Sequence, residues 1–122
     1  MKQKFILLPI GRNLVRKFSL DEVLYLEADN SYTKLKTLND GHYIISRPLG
    51  EFEKLLCTDN SPFFRIGRST ITNLKHAEEI NSGKEPHILL ANNVKVVPDK
   101  NKVTQIIDKL ILLQSEPHPP TS

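Results

Sequence analysis

The chain has 122 residues, 39% of them hydrophobic, enough for one core and hence one domain. Its 17 basic and 14 acidic residues give a net charge of +3 and a pI near 9.0, an excess that permits a polyanionic partner without requiring one. The single cysteine, Cys57, excludes an intramolecular disulfide framework and any multi-thiolate zinc site, and no apolar run reaches the ~18 residues of a membrane span. Met1-Lys2-Gln3-Lys4 leads into only Phe5 to Leu8, too short for a signal-peptide core, so a soluble cytoplasmic protein with no membrane association is expected. The charge is uneven. The first twenty residues carry Lys2, Lys4, Arg12, Arg16 and Lys17 against no acid, whereas the remainder, with 12 basic and 14 acidic residues, holds −2. That basic stretch is one candidate for phosphate contact, with an ordinary solvated strand surface as the alternative.

In chain order, Phe5 to Ile10 and Asn13 to Phe18 are short apolar or β-branched runs either side of Gly11-Arg12, the pattern of a hairpin with glycine in its turn. Val23 to Ala28 is a third run, and Asn30-Ser31 a turn. Beyond it Thr33, Leu35 and Thr37 alternate with Tyr32, Lys34 and Lys36, which predicts a half-buried strand with a basic outer face. Asn39-Asp40-Gly41 signals a second hairpin, with His42 to Ser46 returning. After Pro48, the residues Leu49, Phe52, Leu55 and Leu56 fall at helical intervals and predict a short amphipathic helix, with Cys57 as a small packing residue on it. Asp59-Asn60-Ser61-Pro62 ends it. Phe63 to Ile66, Thr70 to Leu74, His76 to Ile80, His87 to Ala91 and Val94 to Val97 are further strand-like pieces, implying an antiparallel β-rich domain. Asp99 is placed to cap a last helix from about Lys100, with Val103, Ile106, Ile107, Leu110 and Leu113 as its packing stripe. The domain therefore spans 1–114, and 115–122, with Pro117, Pro119 and Pro120, is expected to be a disordered tail.

Motifs that carry catalysis are missing. The histidines His42, His76, His87 and His118 show no metal-ligand spacing and read as surface residues, and neither phosphate-cradling glycine loops nor a nucleophile elbow occurs. Ser69 has no matched base nearby. Glu51 with Glu53, and Glu78 with Glu79, are too close in sequence to converge on one substrate. No enzyme activity, cofactor or metal is expected.

Two blocks carry the functional signal. They are Asp21-Glu22-Val23-Leu24-Tyr25-Leu26-Glu27-Ala28-Asp29-Asn30-Ser31-Tyr32 and Phe63-Phe64-Arg65-Ile66-Gly67-Arg68-Ser69-Thr70-Ile71-Thr72-Asn73-Leu74. Together they resemble the signature blocks of the LytTR DNA-binding family, and the likeness continues through Glu53-Lys54-Leu55-Leu56 and Val94-Lys95-Val96-Val97-Pro98, covering residues 5 to 112. The resemblance implies a mainly β fold, an elongated set of short antiparallel sheets with one short internal helix and a C-terminal helix. It also implies the output module of a bacterial two-component transcription regulator that inserts loops, not a recognition helix, into the major groove of double-stranded DNA. This fits the lack of a helix-turn-helix pattern. Direct-repeat sites, a homodimer and a separate signalling partner follow as possibilities from the same likeness. The 122 residues hold no receiver domain, so any phosphorylation control is expected to lie outside them.

The implied DNA contacts fall in three segments. Arg68 is the expected base reader, because a guanidinium donates two parallel hydrogen bonds to guanine; its alternative is a surface salt bridge. Arg65 is expected to pair with an acid or a phosphate, and Ser69 and Asn73 with backbone or phosphate, with Asn73 equally suited to a turn. Asn30, Ser31 and Tyr32, with Lys34 beside them, form a second reading turn, although Tyr32 also suits a sheet face. Asp99, Lys100, Asn101 and Lys102 stand where the family usually has a serine followed by arginines, and here lysine offers a point charge to phosphate. Gly67 stands where the family often has histidine. These two departures support the alternative, a protein-interaction module of the same fold that no longer reads DNA.

Overall fold

The computed structural model describes residues 5–10, 12–39 and 41–114. Gly11 and Asp40, expected in two turns, and the expected tail 115–122 lie outside the described residues. The described residues form ten short strands and two α-helices: β1 Phe5–Pro9, β2 Val15–Ser19, β3 Val23–Asp29, β4 Tyr32–Thr37, β5 His42–Ile45, α1 Leu49–Leu56, β6 Phe63–Arg65, β7 Thr70–Asn73, β8 Ala77–Asn81, β9 His87–Leu90, β10 Val94–Val96 and α2 Val103–Gln114. They form a two-stranded sheet β1-β2, a central sheet in the order β5-β4-β3-β7-β6 and a sheet β10-β9-β8. Every pairing is antiparallel. The expected mainly β architecture with one internal and one C-terminal helix is the one observed.

Alternation accounts for β4: Thr33, Leu35 and Thr37 are buried, while Tyr32 and Lys34 face out. The β3–β4 turn is closed by Asn30 at φ 57°, a left-handed conformation that asparagine tolerates because its side chain bonds locally. Strand β3 is apolar on both faces and divides two cores. On one side Leu26, Leu35, Ile45 and Ile71 pack with Leu49, Phe52 and Leu56 of α1 and with Leu8 and Phe18 of the β1-β2 sheet. On the other, Leu24, Ile66, Ile88, Leu90 and Val96 pack with Ile106, Leu110 and Leu113 of α2.

The helix α1 has the expected bounds but a narrower apolar stripe. Leu55 lies on its flank and is 58% exposed, so the buried face is Leu49, Phe52 and Leu56 alone. Cys57 closes α1 and does not sit within it; burial, reinforced by nearby Glu53, pushes its thiol up to about 11. A thiol so protonated at neutral pH is a packing group and a poor nucleophile. Of the N-terminal cations, Arg16 stacks over Tyr43 and Lys17 over Phe5, at 5.2 and 4.3 Å from the ring centroids. No described helix is long and apolar enough to cross a membrane.

Candidate nucleic-acid interface

Three connections meet at one end of the central sheet: the β3–β4 turn, the β6–β7 loop and the segment from β10 to α2. Main-chain hydrogen bonds tie them together. Ala28 N, near the end of β3, donates to Ser69 O at 2.8 Å and so sets the second beside the first, and Asp99 N donates to Ile66 O at 2.9 Å, joining the second and third. Ile66 N to Thr70 O, 3.0 Å, closes the β6–β7 loop on itself. The loops therefore hold fixed positions relative to one another, and Asn30, Ser31, Tyr32, Arg68, Ser69, Lys100 and Asn101 are all exposed on them. Lys34 points outward next to the turn, 3.8 Å from the carboxylate of Asp29.

The two arginines of the β6–β7 segment have separate tasks. Arg65 is the less exposed. Its Nη1 donates to Glu53 Oε1 of α1 at 2.7 Å, its Nε to Gly67 O at 3.1 Å, and its Nη2 to Arg68 O. Of the partners expected for Arg65, the acid is present, and the guanidinium braces the loop against the helix. Arg68 is exposed, and its side chain has no partner among the described residues. A planar five-donor group is thus held out on a braced loop with its hydrogen-bonding capacity unspent.

Asn73 belongs to the interior. It is 1% exposed, and its Nδ2 donates to Leu20 O and Val23 O at 3.2 and 2.9 Å while Oδ1 accepts from Lys75 N. Of the expected backbone and phosphate partners, backbone is the one found. His76, expected at the surface, is half-buried, with a ring nitrogen against Asp21 O. Asp99 departs from expectation as well. A 3-10 turn at Lys100–Lys102 precedes α2, and the Asp99 side chain makes no capping bond. Its main chain is committed instead, N–H to Ile66 and carbonyl to Lys102 N, which leaves the carboxylate lying over Gly67.

The family model described as the LytTr DNA-binding domain matches residues 13–110. The chain belongs to this LytTR family. A solved LytTr DNA-binding domain from Bacillus cereus is similar in structure, with a TM-score of 0.70 and 24% identity over 91% of this chain and 98% of that one. No curated protein matches the sequence.

Within the LytTR frame the two departures, Gly67 and Asp99, are a single packing solution. A Cβ built on buried Gly67 lies 2.9 Å from Asp99 Oδ1 and 3.1 Å from Cγ, so the carboxylate fills the space that a side chain at 67 would need. The contact is with the end of a short side chain that is free to rotate away. Gly67→Ala is therefore expected to cost up to about 1 kcal/mol alone and clearly less in an Asp99→Ala background, a coupling of roughly 0.5 kcal/mol or more. Thermal denaturation of the four proteins of that cycle measures it; strictly additive effects would refute the packing relation.

Proposed function

We propose that this LytTR domain binds double-stranded DNA sequence-specifically as a transcription regulator, presenting its three joined loops to the major groove. The observation that carries the reading is Arg68, exposed and unpaired on a loop that Arg65 and main-chain hydrogen bonds from Ala28 and Asp99 hold in place. A guanidinium held in this way loses little freedom on bonding the O6 and N7 of guanine. Asn30, Ser31 and Tyr32 supply the second reading turn. Ser69, Lys100, Asn101 and Lys102 position the domain on phosphates, with Lys34 a weaker contributor because Asp29 offsets its charge. Arg65 acts through the loop it braces. Both helices pack a face into the cores, which leaves loops to meet the groove.

The direct test selects a preferred site from randomised duplexes and compares it with a scrambled duplex by competition titration. Preference for the selected site is expected, with affinity falling at least tenfold between about 50 and 200 mM salt as phosphate-bound cations release condensed counterions. Absence of any preference would favour the interaction-module reading. A salt-independent affinity would remove the phosphate contacts from the account.

A further inference from the structure

The outer face of the β10-β9-β8 sheet forms a groove of about 780 Å³ beneath the β8–β9 hairpin. Three lysines from three segments line it: Lys84 on the hairpin, Lys95 on β10 and Lys100 on the segment leading to α2. None of the three has an ion pair or side-chain hydrogen bond among the described residues. Several other cations are engaged: Lys75 with Asp21, Arg47 with Glu51, Arg65 with Glu53 and Lys109 with the carbonyls of Thr58 and Asp59. The polar lining is completed by Asn81, whose Oδ1 accepts from Gly83 N and fixes the turn, and by His87, whose Nδ1 lies 3.3 Å from Glu85 O. Glu85 is the only acid among the described residues of the lining, and Glu79 lies across Leu89 from Lys95 on the same face. Three lysines against Glu85 and the neighbouring Glu79 leave the groove with a net positive charge.

We propose that this groove carries the sugar-phosphate backbone flanking the recognised site, extending the DNA footprint beyond the three loops. It rests on the DNA-binding reading above. Lys100 makes the link, since it belongs both to the third loop and to the groove wall, so a backbone held at that loop continues along the sheet face towards Lys95 and Lys84. Contacts of this kind see the same phosphate everywhere and add affinity without base preference.

The test uses the full chain and the double variant Lys84→Ala with Lys95→Ala, both side chains being exposed. One duplex ends at the selected site; another carries about one helical turn of arbitrary sequence on each side. The double variant should bind the flanked duplex more weakly, with the slope of log affinity against log salt shallower by about 2, and match the wild type on the trimmed duplex. Lys84→Arg with Lys95→Arg should restore wild-type behaviour, and melting curves check the fold. Equal affinity on the flanked duplex, or equal loss on both duplexes, overturns the groove assignment. A random flanked duplex separates the two readings: if base reading fails while the groove holds, wild type shows no site preference, yet the double variant still binds the random duplex more weakly.

Discussion

Arg68→Ala is expected to lower the ratio of specific to random DNA affinity by a factor of about five to more than a hundred, roughly 1–3 kcal/mol, while leaving random binding nearly intact. A forked donor at a base edge distinguishes guanine from the other bases; a lysine at phosphate meets the same oxygen at every step. Lys100→Ala with Lys102→Ala is accordingly expected to weaken both duplexes alike. Neither change should unfold the protein, because Arg68 and Lys100 are exposed and neither they nor Lys102 have side-chain partners among the described residues. The control that gives the result its meaning is Arg65→Ala, which removes the brace to Glu53, Gly67 and Arg68. It should reduce specificity as well, but together with a fall in thermal stability, since the loop's freed carbonyls must find water. Competition titration against selected and scrambled duplexes, with melting curves alongside, reads all four proteins. A folded Arg68→Ala variant with the full specificity ratio would show that Arg68 does not read bases.

Much of this arrangement was legible because it is local. The period-two pattern of Tyr32–Thr37 fixed which side chains of β4 face inward, and the apolar spacing after Pro48 placed α1 at its observed bounds. The two sequence blocks located the turn and the loop that the sheet brings side by side. What the sequence hid depends on contacts across the chain. Leu55 fits the helical interval yet is exposed, because it falls at the edge of the stripe, where only the packed sheet decides exposure. Asp99 has the composition of a helix cap, yet a bond to Ile66, far away in sequence, holds its main chain and a 3-10 turn takes the place of the first helical turn. Gly67 and Asp99 each looked like a lost contact; only their proximity shows that one accommodates the other. The lysine groove escaped for the same reason, as Lys84, Lys95 and Lys100 form no run and meet only through sheet register.

Asn73→Ala is expected to destabilise the fold by about 2–4 kcal/mol, a shift of roughly 10 °C in melting temperature for a chain of this size. The amide links two segments about fifty residues apart. Its Nδ2 satisfies the carbonyls of Leu20 and Val23 at the entry to β3, and its Oδ1 accepts from Lys75 N in the turn that follows β7. Truncation removes the side-chain bonds to Val23 O and Lys75 N and one of the two bonds to Leu20 O, which still accepts from Val23 N, in a site where the residue is only 1% exposed, and burial makes unmade bonds more costly than the bonds themselves are favourable. Asn73→Asp keeps the shape but sets a carboxylate against two carbonyl oxygens. At pH 7 it should be the worse of the two variants. Burial and those carbonyls favour the protonated acid, raising its pKa in the folded state above that of the unfolded chain, so the extra penalty grows as pH rises above about 4 and is largely absent below it. Measured against wild type at each pH, the Asn73→Asp variant should therefore recover towards Asn73→Ala stability at about pH 4. Below their lowered melting temperatures both variants should keep the specific-to-random DNA ratio of the wild type, which separates a structural asparagine from one that touches phosphate. A melting shift of under about 2 °C for Asn73→Ala, or a specificity loss comparable to that of Arg68→Ala, would refute the assignment.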